Sequence, residues 1–196
     1  VLVSILTVFL AAYSIAHYFC TAIVLFSRHS KRTDFDYPLD SVSVLIPSLN
    51  EGACAHRVIR SLLSQDHRGS IDIYLLVKDQ EDTAIAGFKE SFPEVDFSLP
   101  VGSICQFLRT KNRTASVVYV GVNPKSAKVN WMASRLNTPY SAILDCDHQA
   151  HSDWIRTSLC LMSEKTARIV QGRRQPISAH GFYQLWDSLH QHIGCE

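Results

Sequence analysis

The chemistry-bearing residues of this chain gather around Asp145-Cys146-Asp147-His148, which comes directly after the apolar run Ile143-Leu144. Alternation along an extended chain sends both carboxylates to the same side. Two anions converging at a strand end repel unless a cation or a donor-rich ligand lies between them. One Asp can then hold a divalent ion that also takes phosphate oxygens, while the other accepts from a ligand hydroxyl. Asp-x-Asp by itself is also frequent in turns, where each carboxylate merely caps the next helix, so its meaning depends on its company. Three further strand exits carry polar groups: Asn50-Glu51, Lys78-Asp79 and Gln171-Gly172-Arg173-Arg174. Lys125 and Lys128 open a predicted helix just before the Asp-x-Asp strand. Together they describe a cleft with carboxylates for a metal and for a base or ribose, and cations for a diphosphate.

Such a cleft requires strands that end side by side. Ser41–Ile46 reads as a buried strand, with the loop Pro47 to Gly52 after it and then a helix carrying Val58, Ile59, Leu62 and Leu63. Ile71–Val77 is a second strand, and Asp82–Phe92 a second helix capped by Asp82. Val95–Leu99 and Ser116–Val120 are weaker strands, with no assignment for the stretch between Gly102 and Thr114. Lys125–Asn137 reads as helix, Tyr140–Leu144 as strand, Ser152–Ser163 as helix and Ala167–Val170 as strand. Alternation of this kind predicts an α/β domain with a mainly parallel sheet flanked by helices. In such sheets ligands bind beyond the carboxyl ends of the strands.

The 196 residues are 46% hydrophobic and 19% charged with a formal net charge of +1. That suffices for one core and gives no support to a nucleic-acid-binding surface. Residues 1–26 contain no Asp, Glu, Lys or Arg, which predicts one N-terminal transmembrane helix. A secretory signal would want a basic start, a shorter apolar run and a cleavage site. Arg28, Lys31 and Arg32 come directly after it, so the remainder is expected on the cytoplasmic side of a cell membrane. The expected organisation is a transmembrane helix over 1–26, a basic linker over 27–40, a ligand-binding domain over 41–178 and an amphipathic helix over 179–196. The chain starts on Val and stops after that amphipathic stretch, which suggests a piece of a longer protein. Six scattered cysteines show neither zinc-site nor disulfide spacing, so reduced and mostly buried thiols are expected. Arg109, Lys111 and Arg113 read as a solvated loop.

The series Val44-Leu45-Ile46-Pro47-Ser48-Leu49-Asn50-Glu51, Lys78-Asp79, Ala127-Lys128-Val129-Asn130, Asp145-Cys146-Asp147-His148 and Val170-Gln171-Gly172 resembles membrane-bound family-two glycosyltransferases. Its order and spacing are similar to cellulose synthase-like polysaccharide synthases, and Val77 to Ile85 with Val122 to Lys125 is similar to ceramide glucosyltransferases. The resemblance implies a GT-A (Rossmann-like) fold and an inverting, metal-assisted transfer of sugar from a UDP-sugar to a polysaccharide or lipid acceptor. It implies that Pro47, Asn50 and Glu51 line the nucleotide pocket, that Asp79 bonds the uracil edge, and that Lys128 sits near uracil or phosphates. Asp145 would contact the nucleotide, Asp147 would hold Mg2+ or Mn2+, and Gln171 and Arg173 would lie near donor or acceptor. His148 is expected to fix the loop. Lys78 departs from the acidic residue usual beside the position of Asp79. The family's catalytic base lies in a Thr-Glu-Asp-like motif, expected beyond Glu196. The alternative is a catalytically silent sugar-nucleotide-binding scaffold in a membrane complex. A nucleotidyltransferase would want a Gly-rich phosphate loop, which Pro47 to Gly52 does not supply.

Overall fold

The computed structural model describes residues 2–26 and 37–172. The chain divides into two compact units, one of residues 1–35 with 171–196 and one of residues 36–170. In the first, α1 (Leu2–Phe26) is one continuous helix, apolar apart from Ser4, Thr7, Ser14, His17 and Thr21. Most of its described side chains, from 5 to 19, are exposed, Phe9 at 72% and Tyr18 at 77% among them. Among the described residues no helix is long and apolar enough to cross a membrane. The 27–36 part of the expected linker and the expected helix over 179–196 lie outside the described residues.

The second unit is built on β1 (Val42–Pro47), α2 (Gly52–Leu63), β2 (Ile71–Val77), α3 (Ala86–Ser91), β3 (Ile104–Arg109), β4 (Arg113–Tyr119), α4 (Lys125–Ala133), β5 (Tyr140–Ile143) and α5 (Trp154–Lys165). The sheet order is β3-β4-β2-β1-β5. β4, β2, β1 and β5 run parallel, while β3 is antiparallel to β4. The α/β, mainly parallel architecture expected from the alternation is therefore present. All six residues of β1 are buried, as in a central strand covered on both faces. On one face Val44, Ile46, Ile73, Leu75 and Val117 pack with Val58, Ile59 and Leu62 of α2 and Ile155 and Leu159 of α5. On the other, Leu45, Leu76 and Val118 pack with Met132 of α4. The order of the parallel strands reverses at β1, with β2 on one side and β5 on the other. Loops there part in opposite directions and leave a crevice at the strand ends.

Several expectations are corrected. Val95–Leu99 is no strand: Pro93 and Pro100 bracket it, and the Asp96 carboxylate accepts from Ser98 N at 2.8 Å in a local turn. Its Phe97 is buried, and the Phe97 carbonyl accepts from the Tyr119 hydroxyl at 2.7 Å. The unassigned stretch instead holds β3, whose buried Cys105 and Phe107 flank the exposed Gln106. Ala167–Val170 is irregular, with Ile169 87% exposed. The Asp82–Phe92 helix is a 3-10 turn (Thr83–Ile85) running into α3, with Asp82 capping it as expected. Arg113 is not solvated: its guanidinium donates to the carbonyls of Gln65, His67, Gly69 and Asn112 and staples the 65–69 loop to β4.

Candidate functional site

The exit of β1 is a tied loop. Pro47 and Ser48 are buried, and Asn50 turns the chain at φ 57°, a left-handed conformation that Asn tolerates better than most residues. Asn50 N donates to Asp82 Oδ1 at 3.2 Å, and the Asn50 side-chain oxygen accepts from Thr83 N at 3.4 Å. The same Asp82 oxygen accepts from Ala84 N at 3.0 Å. One buried carboxylate therefore clasps the loops after β1 and β2 together. Gly52 is required beneath this clasp, because a Cβ there would come 2.7 Å from the Thr83 carbonyl oxygen.

At the exit of β2, Lys78 and Asp79 stand side by side, Nζ 3.3 Å from Oδ2. The other oxygen, Oδ1, accepts from Glu81 N at 3.0 Å. Leu49, Asn50, Lys78, Asp79, Glu81, Asp82 and Asn123 line a cleft of about 270 Å3. That is just below the roughly 300–1,000 Å3 of complete small-molecule sites, a size suited to one end of a ligand that continues elsewhere.

A second polar group lies at the exit of β5, the strand beside β1. Leu144 N donates to Leu45 O at 3.0 Å, which holds the chain beside β1. Beyond it, a turn closed by His148 N on Asp145 O at 3.1 Å brings the acidic residues round. The carboxylates thus converge through a turn, not through strand alternation. Cys146 is the turn's buried anchor, and burial pushes its thiol up to about 12. His148 Nδ1 lies 3.1 Å from Asp147 Oδ1 and 3.7 Å from Asp145 Oδ2. One ligand atom from each of Asp145, Asp147 and His148 falls within 4.8 Å of the others.

The two lysines of α4 have different fates. Lys128 is fully buried and donates to the Ser48 carbonyl, so it braces the first loop and is not presented to a ligand. Burial lowers its pKa, against the opposing charges of Asp82, Glu51 and Asp79. Lys125, in the first turn of α4, reaches Asp145 Oδ1 at 3.3 Å and stays 47% exposed. Burial alone would lower its pKa, but the bond to Asp145 with the charges of Asp145, Glu51 and Asp147 raises it. The start of a helix adds its own positive end. Glu51 precedes α2, with its Oε2 buried and no hydrogen-bond partner.

The donor set fits a divalent cation. Two carboxylates and an imidazole converge, and with side chains 30%, 62% and 30% exposed they leave room for phosphate oxygens and water. Oxygen-rich coordination suits Mg2+ and Mn2+, and the orphaned Glu51 oxygen nearby is an acceptor awaiting a donor. Of the residues expected in the site, Asn50 and Asp79 line the cleft, Glu51 and Lys128 are not among its lining, Pro47 is buried at the end of β1, and Asp145 and Asp147 converge with His148. Gln171 is exposed and falls in the other unit, and Arg173 lies outside the described residues. Asp82, expected only as a helix cap, also ties the loop after β1, and His148, expected to fix the loop, closes the Asp145 turn and stands beside Asp147. A carboxylate three residues after Asp79 and a His closing the Asp-x-Asp turn were the available signals.

No protein-family model matches the chain, and no curated protein matches it. Among solved structures it is similar to S. aureus TarS 1-349, with 15% identity and a TM-score of 0.46 over 71% of this chain and 39% of that one. It is also similar to the mannosyltransferase PcManGT from Pyrobaculum calidifontis in complex with GDP-Man and Mn2+, with 15% identity and a TM-score of 0.40 over 71% and 38%. The chain spans under two fifths of either protein.

Proposed function

We propose that this chain binds a UDP-sugar, with Mg2+ or Mn2+, as the donor-binding part of an inverting glycosyltransferase of the family-two type acting at a membrane face. The observation that carries the reading is that a small polar cleft at the carboxyl ends of β1 and β2 and the Asp145, Asp147 and His148 cluster after the neighbouring parallel strand β5 lie at the same edge of the sheet. A nucleoside diphosphate has those two ends: a flat base with a hydrogen-bonding edge, and a pyrophosphate that needs cations. The order of the motifs along the sequence adds the sugar.

In this reading Asp147, Asp145 and His148 hold the divalent ion, which when bound stabilises the charge growing on the departing diphosphate. Lys125 neutralises the same oxygens from the start of α4. The Asn50–Asp82–Thr83 clasp fixes the loop that cradles the nucleoside, so little ordering remains to be done on binding. Inversion demands attack from the opposite face of the sugar by an acceptor hydroxyl that gives its proton to a base, and none of the residues placed here serves as that base. The polysaccharide or lipid acceptor and the membrane site belong to the same proposal. The acceptor rests on the order of the motifs alone, and the membrane site on the exposed apolar side chains of α1 together with the basic residues after it.

The test is thermal shift with Mn2+ and a panel of UDP-glucose, UDP-N-acetylglucosamine and UDP-galactose. A ligand bound only by the folded chain at about 100 times its Kd stabilises by about 2.7 kcal/mol. A metal-dependent rise with at least one donor is expected. No rise with any of them, nor with UDP, refutes the proposal.

A further inference from the structure

A lysine with no exposed surface is bonded to the loop after β1. Taking the site as a nucleoside-diphosphate pocket, on which this rests, we propose that Lys128 is a positioning residue for the nucleotide. It does not touch the ligand; it sets the peptide between Ser48 and Leu49, so that the cleft is shaped before the ligand arrives.

Among the described residues no other lysine or arginine is buried in this way: Lys128 is 0% exposed, and so is Ser48, whose carbonyl accepts from its ammonium. A charge out of water is costly and persists only with acceptors and opposing charge around it. Asp82, Glu51 and Asp79 supply the opposing charge, with Lys125 acting against them.

The bond reaches across 80 residues of sequence to one peptide unit. Ser48 N donates to Leu76 O at 3.0 Å, so residue 48 is gripped at its N–H by β2 and at its carbonyl by α4. The peptide is trans, and a trans peptide is planar with its N–H opposite its C=O. Fixing Ser48 O therefore fixes Leu49 N–H as well, directed away from the lysine. Leu49 and Asn50 follow, and both line the cleft. Asn50 is held at φ 57°, a strained setting that persists only where the surroundings over-determine it. Asp82 holds it through Asn50 N at 3.2 Å, and Lys128 fixes the chain two residues earlier. Without that second hold the loop relaxes, and the ligand must order it on binding. α4 also carries Lys125 to Asp145, so a single helix ties the cleft loop to the cation cluster.

The experiment is calorimetric titration with UDP at saturating Mn2+ for the parent and Lys128→Met, with melting and peptide-resolved hydrogen exchange on both. Lys128→Met should bind UDP at least ~10-fold more weakly, the lower end for losing a hydrogen bond to a charged group. Amides of residues 49–51 should exchange at least ~10-fold faster in the free variant, because local opening sets exchange, and UDP with Mn2+ should return them to the parent's rate. The melting temperature should hold or rise, since an apolar isostere in place of a buried ion is often neutral or stabilising. Unchanged UDP affinity, weaker binding without faster exchange in the loop, or exchange that rises across the whole sheet together with a lower melting temperature overturns the inference and leaves the nucleotide site standing. If Lys128→Met does not fold, Lys128→Gln, which keeps a shorter neutral donor, is read in the same way; failure of both to fold makes Lys128 a folding residue and overturns the inference. No binding of UDP by the parent overturns the proposed function as well.

Discussion

Lys125→Met should have opposite effects on the two ligands of the site. The Lys125 ammonium stands 3.3 Å from Asp145 Oδ1, on the carboxylate that a divalent ion would also need. The side chains of the pair are 47% and 30% exposed, and ion pairs this open are worth only about 0.2–1 kcal/mol. Removing the lysine relieves the incoming ion of that competition, so Mn2+ alone should bind about 1.5- to 5-fold tighter. UDP at saturating Mn2+ should weaken, because a hydrogen bond to a charged group contributes about 1.5–3 kcal/mol, or ~10- to 100-fold in affinity. Methionine keeps the length and apolar stem of lysine, so the packing of α4 is little disturbed. Isothermal calorimetry with Mn2+ alone, then with UDP at fixed Mn2+, measures both quantities on one sample. Weakening of both ligands would refute Lys125 as the competitor for Asp145, and unchanged UDP binding would refute it as a diphosphate contact.

The scaffold around the site leads to three other outcomes. His67 is 2% exposed, its Nε2 bonds the Asp40 carbonyl at 3.0 Å and its Nδ1 is buried with no hydrogen-bond partner, so burial, reinforced by Arg113, lowers its pKa below 6.5. The unfolded chain then binds the extra proton first, so stability is full above about pH 6.5 and falls as the pH drops towards the folded value; melting from pH 7.5 to 5 should show this loss, and a His67→Gln variant with the same slope would contradict it. Arg113→Met strips four backbone carbonyls of their donor and should cost about 2–4 kcal/mol in urea unfolding, whereas a change under about 0.5 kcal/mol, the range of an ordinary surface substitution, would mean the staple is cosmetic. Gly52→Ala, usually a stabilising change in a helix, should here destabilise by about 1–3 kcal/mol because the new methyl meets the tied Thr83 carbonyl; a raised melting temperature would show the clasp to be loose.

The parallel sheet was legible because β1, β2 and β4 are apolar β-prone runs between helical patterns, and burial on both faces leaves that signature in composition. β3 was illegible for the opposite reason. It is an edge strand whose buried residues are only Cys105 and Phe107, with Leu108 partly buried beside them, and its pairing with β4 shifts register between Gln106 and Leu108. Val95–Leu99 misled because its apolar residues pack singly around Phe97 and Tyr119 without forming a ladder. In the site, residue types announced the carboxylates and lysines, but their division of labour depends on burial. Two lysines three apart on a helix look equivalent in sequence, yet Lys128 is sealed against Ser48 O while Lys125 faces Asp145. Arg113 shows the same ambiguity, since a basic residue after a turn reads as solvated until the carbonyls around it are seen.

The proposed function stands or falls on Asp145 and Asp147 bridging a cation to a diphosphate. Asp147 is 62% exposed, so Asp147→Asn removes one charge at almost constant shape and should leave the melting temperature near that of the parent. The decisive measurement is calorimetric binding of UDP with and without Mn2+ to the parent and to Asp147→Asn. Mn2+ should tighten UDP binding by the parent, and loss of the Asp147 carboxylate should remove at least ~10-fold of that gain, the least that even outer-shell changes cost metal sites. UDP binding with Mn2+ that is the same in the variant and the parent would contradict the assignment.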